Sequence, residues 1–347
     1  WLSRRRGPRR PLGPAGRRGP TRHPLALLAL PALLSTADPP DAGAFCAARL
    51  GQPACADGRV HLGSTVESLL ANNRVQAALS GGYAHAISQN KGPKRGEDVI
   101  VTSGSNGVYN VSLLMDGHGG QGVVRHAGQH LQEELLRLCG AEAAGAWPEC
   151  ARAAFVGFQD EVRRKRLRGG ATAVAIFLRA DGSQAAFAWV GDSSAVVIRG
   201  GDVLFRTTKH SLDNADEVAR IKAGDYRYFM DDGYLCTPRG RCVAPTRALG
   251  DIEMESAGLI STPEASEWID LQPGDIIIAA SDGIWDVLPE EPVVRHLAKM
   301  PLEADLVQAA SGLAETAVRE WTRQYGRASE ADDISVLLYR HRRRRSE

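Results

Sequence analysis

Seven short apolar runs, VSLLM, TAVAIFL, AAFAWV, AVVIR, DVLF, DIIIAA and ISVLLY, recur between Val111 and Tyr339. They are rich in β-branched residues and flanked by Gly, Asp or Ser, which reads as a set of strands. AVVIRGGDVLF places two of them around Gly200-Gly201, the signature of a hairpin. Helical spacing falls between the strands. Ala127, Leu131, Leu135 and Leu138 recur every three or four residues and Gly140 closes the pattern. PEEPVVRHLAKM and EADLVQAASGLAETAVREWTRQY are two further amphipathic stretches. Hairpins mixed with separate helices predict an α+β fold rather than alternating βαβ units.

The chain has 347 residues and is 43% hydrophobic, enough to bury a substantial core in one large domain or two small ones. Its net charge of +1 conceals a strong asymmetry. Eight Arg and no acid in residues 1–37, with five Arg against one Glu in residues 340–347, account for +12. The body between them therefore carries −11. An acidic body argues against nucleic acid as the main partner and suits a chain that collects carboxylates.

Residues 1–37 read as a targeting leader: an Arg-rich stretch, the apolar run PLALLALPALL, then Ser35-Thr36-Ala37. Secretory and plastid-type addresses are not separated by this pattern, and without one the expected compartment is the cytoplasm. The run is too short to span a membrane. Residues 38–75 form a linker with a helical extension, the helix candidate being STVESLLANNRVQAAL. The main domain is expected over 76–341, with RHRRRR at its end a solvated basic tail over 342–347. Six cysteines, at 46, 55, 139, 150, 236 and 242, contain no CxxC pair, so zinc is not expected. Cys46 with Cys55, and Cys236 with Cys242, are close enough to pair in an oxidising compartment; in a reducing one they stay free.

Carboxylates gather at the strand ends. VSLLM is followed by Asp116, AAFAWVG by Asp192, and DIIIAAS by Asp282, with Asp286 four residues later. Asp332 and Asp333 precede ISVLLY, and Glu97-Asp98 precede VIV. A single DGHGG, residues 116–120, would be only a strand-to-helix turn. Several such ends meeting at one sheet edge would repel one another, and a divalent cation relieves that repulsion. An all-oxygen ligand set favours Mg²⁺ or Mn²⁺. More than three carboxylates suggest two ions sharing a bridging Asp and activating a water, the chemistry phosphoester hydrolysis needs. Gly117 and Gly119 leave room for such ions, and His118, with an ordinary pKa near 6.5, suits proton donation to a departing alkoxide.

The motifs GEDVIV, LLMDGHGG, GGATAVAIFL, AWVGDSSAVVIRGG, EVARIKAGD, APTRALGD, the long STPEASEWIDLQPGDIIIAASDGIWDVLPEEPV and DDISVLLY follow one another over roughly residues 80–340. In this order they resemble the metal-dependent protein phosphatases of the PPM (type 2C) family. The resemblance implies a β-sandwich of two antiparallel sheets flanked by helices, with a dinuclear site at one end. It implies Asp116 as bridging ligand, a carbonyl ligand from Gly117, and Asp282 and Asp332 as the other direct ligands of the first ion. Glu97 and Asp98 would hold waters of the second ion, and Asp192 and Asp286 a weaker third. His118 resembles the general acid. Thr172, in the family's GSTA-like motif beneath the site, joins the residues expected to contact substrate. The implied substrate is a protein phosphorylated on serine or threonine, with no covalent phosphoenzyme. A monomer is expected.

Two positions depart from the family. Its phosphate-anchoring Arg is replaced by Pro93, so Lys94 or Arg95 must serve, with Arg95 favoured because it can grip two phosphate oxygens. KHSLDNADE also stands where the family has DHKP. Three competing readings are a pseudophosphatase scaffold, a phosphatase of small phosphometabolites, and a secreted disulfide-stapled binding protein. The last leaves the acidic strand ends without a cause.

Overall fold

All seven apolar runs are strands, sorted into two antiparallel sheets by what covers each face. The structure, a computed structural model, describes residues 75–80, 82–89, 96–140, 146–325 and 332–342. One sheet has the order β1 (Gln76–Ser80), β2 (Tyr83–Ser88), β18 (Ile334–Arg340), β17 (Ile276–Ala280), β9 (Ser194–Arg199), β10 (Asp202–Arg206). The other runs β15 (Glu264–Ala265), β8 (Gln184–Val190), β7 (Ala173–Arg179), β4 (Tyr109–Met115), β3 (Val99–Ser105), with β16 (Ile269–Asp270) also on β8. The helices are α1 (Gly122–Leu138), α2 (Trp147–Lys165), α3 (Ala215–Ala223), the single turn α4 (Asp282–Trp285), α5 (Glu290–Ala298) and α6 (Leu306–Tyr325).

The continuous apolar runs make sense because both faces of each sheet are covered. In β17, Ile277 and Ala279 point between the sheets, beside Ile176, Phe187 and Leu337. The alternate Ile276, Ile278 and Ala280 pack outward with Leu297 of α5 and Leu313 and Trp321 of α6. The second sheet repeats the arrangement, with Val111, Leu113 and Met115 of β4 against Leu131 and Leu135 of α1 and Phe155 and Phe158 of α2. Each fully buried Leu, Ile or Phe contributes roughly 1.5–3 kcal/mol. These layers therefore fix where the strands end.

Two smaller sheets complete the fold. β5 (Gly117–His118), β6 (Gly170–Ala171) and β14 (Leu249–Gly250) form a short three-stranded patch. β11 (Phe229–Asp231), β12 (Tyr234–Cys236) and β13 (Cys242–Val243) form a flap over its own apolar cluster of Ile221, Leu235 and Met254. Cys236 and Cys242 are disulfide-bonded across the β12–β13 pair. A second disulfide, Cys139–Cys150, joins the end of α1 to the first turn of α2. Cys46 and Cys55 lie outside the described residues, as do the leader and nearly all of the linker. The flap's base is tied by Glu217 of α3. Burial alone would raise its pKa, but Arg220, Arg247 and Thr246 outweigh it and hold the carboxyl down to about 2.

Two expectations need correction, and one helix was not anticipated. The helix candidate STVESLLANNRVQAAL ends in a strand, because Gln76–Ser80 pairs with β2, Ala77 facing Ala86 and Ser80 facing Tyr83. RHRRRR is not wholly a tail. Arg340 belongs to β18, pairs with Ile276 and is buried, its guanidinium donating to the carbonyls of Leu297 in the last turn of α5 and of Met300 and Pro301 just after it. The stretch WPECARAAFVGFQDEVRRK, unassigned in the sequence, is helix α2.

Candidate active site

Strand register converts scattered carboxylates into one site. β3 and β4 pair with Val99 opposite Met115, so the residues just outside the pair, Asp98 and Asp116, emerge at the same edge. In the other sheet Ala280 of β17 faces Ser194 and Val336. Asp192, Asp282 and Asp332 thus leave β9, β17 and β18 at a common edge. Two bonds hold the edges together: the Glu97 N–H donates to Asp333 Oδ2 at 2.6 Å, and the Thr172 and Ser193 hydroxyls are 2.7 Å apart.

Thr172 is 2% exposed and its hydroxyl is already used. It accepts from the Asp116 N–H at 3.1 Å while its own N–H donates to the Asp116 carbonyl at 2.8 Å. It braces Asp116 from beneath the site. Asp282 opens α4, whose Gly283 lies so close to the Asp333 carbonyl that a Cβ would overlap it. Trp321 of α6 donates to the Gly283 carbonyl at 2.8 Å, fixing that turn. At Gly117 the crowding is with the protein: a Cβ there would meet the Glu97 carbonyl at 2.6 Å and Val124 at 2.8 Å. The space for ions anticipated from the sequence is not what glycine provides at that position. Glu97 Oε1 accepts from the Gly120 N–H at 2.8 Å and so holds the Gly-rich loop.

The carboxylates are mutually uncompensated. Burial, then the nearby Asp333, pushes Asp98 well above the usual carboxylate range, and burial, then Asp98, does the same to Asp116. Asp282 is raised to about 7, by burial and then by Asp192 and Asp332. Burial also raises Asp192 and Asp286. Neither oxygen of Asp98 nor Oδ1 of Asp282 meets a hydrogen-bond partner; Ser335 moderates Asp98 without forming a well-aligned bond. Like charges about 4 Å apart cost roughly 4 kcal/mol at an effective dielectric near 20. Among the described residues no three His, Cys, Asp or Glu side chains already stand in a closed metal-holding cluster. The fit to a cation therefore rests on the donor chemistry: hard oxygens, buried, repelling one another and lacking donors. A divalent cation satisfies all four conditions.

His118 does not cap the following helix, whose N-cap is Gln121. Its Nε2 bonds Asp251 Oδ2 instead. Burial draws the His118 pKa down, yet this bond and the Asp251 charge outweigh it and leave the pKa raised. Arg241, from the flap, donates to Asp251 Oδ1 at 3.2 Å. Lys209 Nζ stands 3.8 Å from Asp286 Oδ1, so a lysine of the divergent KHSLDNADE segment faces the acids assigned to a third ion. Lys94 and Arg95 lie outside the described residues. Sequence reasoning missed Asp251, Arg241 and Lys209. Asp251 ends APTRALGD and had a signal; the other two stand on chain-specific stretches with none.

The protein phosphatase 2C family profile matches residues 95–324, well over half of the chain. The chain belongs to the protein phosphatase 2C family. Among curated family relatives, the probable protein phosphatase 2C 64 of Oryza sativa subsp. japonica is 29% identical over 72% of this chain and 66% of its own length. Protein phosphatase 1F of Homo sapiens is 29% identical over 52% of this chain and 39% of its own. The chain thus spans about two-thirds or less of these relatives. The crystal structure of serine-threonine phosphatase 2C from Toxoplasma gondii superposes with a TM-score of 0.59 at 17% identity, covering 76% of this chain and 96% of that one. The family fold is the two-sheet sandwich seen here.

Proposed function

We propose that the chain is a metal-dependent protein serine/threonine phosphatase. The observation that carries the proposal is the crowded, mutually repelling set of buried Asp98 and part-buried Asp116 and Asp282, in which both oxygens of Asp98 and Oδ1 of Asp282 lack donors. Asp116, the Gly117 carbonyl, Asp282 and Asp332 would hold one Mg²⁺ or Mn²⁺, and Glu97 and Asp98 would serve a second beside the bridging Asp116. Asp192 and Asp286 would take a weaker third in competition with Lys209. Ions bound there would supply the charge that lets these carboxylates ionise and a Lewis acid that lowers the pKa of the attacking water.

The chain's own residues do the rest. Thr172 fixes Asp116 from both sides of its peptide. Glu97 pins the Gly120 amide and so the loop that presents His118. Water attacks phosphorus in line with the seryl or threonyl oxygen, and His118 protonates that oxygen as it leaves. Arg95, or Lys94, would anchor the phosphate dianion. No helix among the described residues is long and apolar enough to cross a membrane.

With Mn²⁺ present, the purified chain is expected to hydrolyse phosphoserine and phosphothreonine peptides with a higher kcat/KM than sugar phosphates. The reverse preference overturns the protein-substrate assignment in favour of a phosphatase of small metabolites.

A further inference from the structure

Asp251 lies 133 residues from His118 and reaches it across the β5–β6–β14 patch. In that patch His118 is opposite Gly170, and Gly170 is opposite Gly250. The middle strand therefore separates the imidazole from the residue that follows Gly250. A Cβ on Gly170 would overlap both Asp251 Oδ2 and His118 Nε2, so the two side chains meet over a residue that must have none. Asp251 adopts φ 47°, a left-handed conformation that Asp and Asn tolerate better than most residues. Its N–H donates to the Gly169 carbonyl at 3.0 Å, which anchors the turn.

The burial is one-sided. The Asp251 side chain is 0% exposed, whereas the His118 side chain is 30% exposed. Both carboxylate oxygens are engaged, Oδ2 by His118 and Oδ1 by the Arg241 guanidinium. An ionised acceptor aimed at one imidazole nitrogen keeps a proton there and fixes the ring's orientation.

We propose that Asp251 is a positioning residue that keeps a proton on His118 Nε2 and fixes the ring, with Arg241 keeping the carboxylate in place, so that Nδ1 is the nitrogen that takes up a second proton and delivers it to the leaving group. This rests on the phosphatase reading above. In the step, the attacking water forms the new P–O bond and the ester P–O bond breaks. The Nδ1 proton of the doubly protonated imidazolium moves to the departing alkoxide, which leaves His118 neutral with Nε2–H still on Asp251. The attacking water supplies, overall, the proton that restores Nδ1. Ester and water give alcohol and inorganic phosphate.

The test uses Asp251→Asn, which fits the left-handed turn while removing the charge, together with His118→Ala and the double variant in the full chain. On a phosphoserine peptide, His118→Ala is expected to lower kcat by about 10²–10⁴-fold. Asp251→Asn is expected to lower it by about 10–100-fold, with KM changed less than about twofold. On an aryl phosphate, whose leaving group needs no proton, both losses shrink to a few-fold. The double variant should match His118→Ala alone, as expected of groups acting as a unit. Equal losses on both substrates, or losses that multiply in the double variant, overturn the proposal. A second readout is independent of turnover: ¹⁵N NMR of the metal-free protein should show His118 protonated on Nε2, and Asp251→Asn should change that signal. A His118 protonated on Nδ1 alone in the neutral form overturns the assignment. If wild-type protein turns over neither substrate, the phosphatase reading fails, and the NMR result still decides the pairing.

Discussion

Asp116→Ala and Asp282→Ala are each expected to abolish phosphopeptide turnover while leaving the metal-free protein folded. Both residues lie in the set whose carboxyl groups are raised by burial and by one another. Removing either would take away a proposed oxygen ligand, yet it would also remove a repelling part-buried carboxylate. Loss of function should therefore come without loss of fold, unlike a core truncation. Thermal unfolding separates the two effects. Adding Mn²⁺ should raise the Tm of wild-type protein, since a ligand that binds only the folded state stabilises it by mass action. The same addition should leave Asp116→Ala nearly unmoved. An Asp116→Ala protein that retains full activity and a full Mn²⁺ response would remove Asp116 from the site.

Metal-free protein should lose stability as pH rises from about 4 towards 7 and beyond, opposite to the common behaviour of acid-sensitive domains. Asp282 titrates near 7 when folded, against about 3.9 for an unfolded aspartate. A carboxyl whose pKa is raised on folding contributes most below its unfolded value. That contribution is lost as pH climbs through the folded one. Asp98 and Asp116 shift in the same direction. Glu217 runs the other way, its folded value near 2 giving a contribution that is complete above about 4.5 and constant over this window. Burial lowers the pKa of His85 and His296, which opposes the trend near pH 6.5. Comparison with Asp282→Asn isolates the aspartate effect, because the histidines are unchanged in the variant. Wild-type Tm should fall by roughly 5 °C or more between pH 5 and 8, with a shallower slope in Asp282→Asn. With saturating Mn²⁺ the slope should reverse, because ligation displaces protons. Parallel slopes for the two proteins without metal would mean that Asp282 does not carry the repulsion.

Most of the apolar runs were legible as strands because both of their faces are apolar, whereas β10, exposed at alternate residues, was legible from its hairpin with β9. A run such as DIIIAA can only be buried from both sides, and β17 lies between the interior and α5–α6. YAHAIS, by contrast, forms the fully buried β2, but only Tyr83 and Ile87 favour a strand and the Ala, His and Ser between and beside them break the apolar run. Helix α2 had a signal in the spacing of Trp147, Ala151, Ala154, Phe158 and Val162, all buried on one face. The strand-end carboxylates could be listed from the sequence, but their meeting could not be derived from it. It depends on register, Val99 against Met115 and Ala280 against Val336, which long-range packing sets. The His118–Asp251 bond was less legible still. It requires a two-residue strand with a glycine in its middle position, and no periodicity marks so short an element.

The central claim is that a divalent cation converts a self-repelling carboxylate cluster into a hydrolytic site. Its most direct test is phosphate release from a phosphothreonine peptide by the purified chain, measured in EDTA, then after restoring excess Mn²⁺ or Mg²⁺ to the same sample. The account predicts no release above background in EDTA and recovery of turnover with either ion. Undiminished release in EDTA would contradict it.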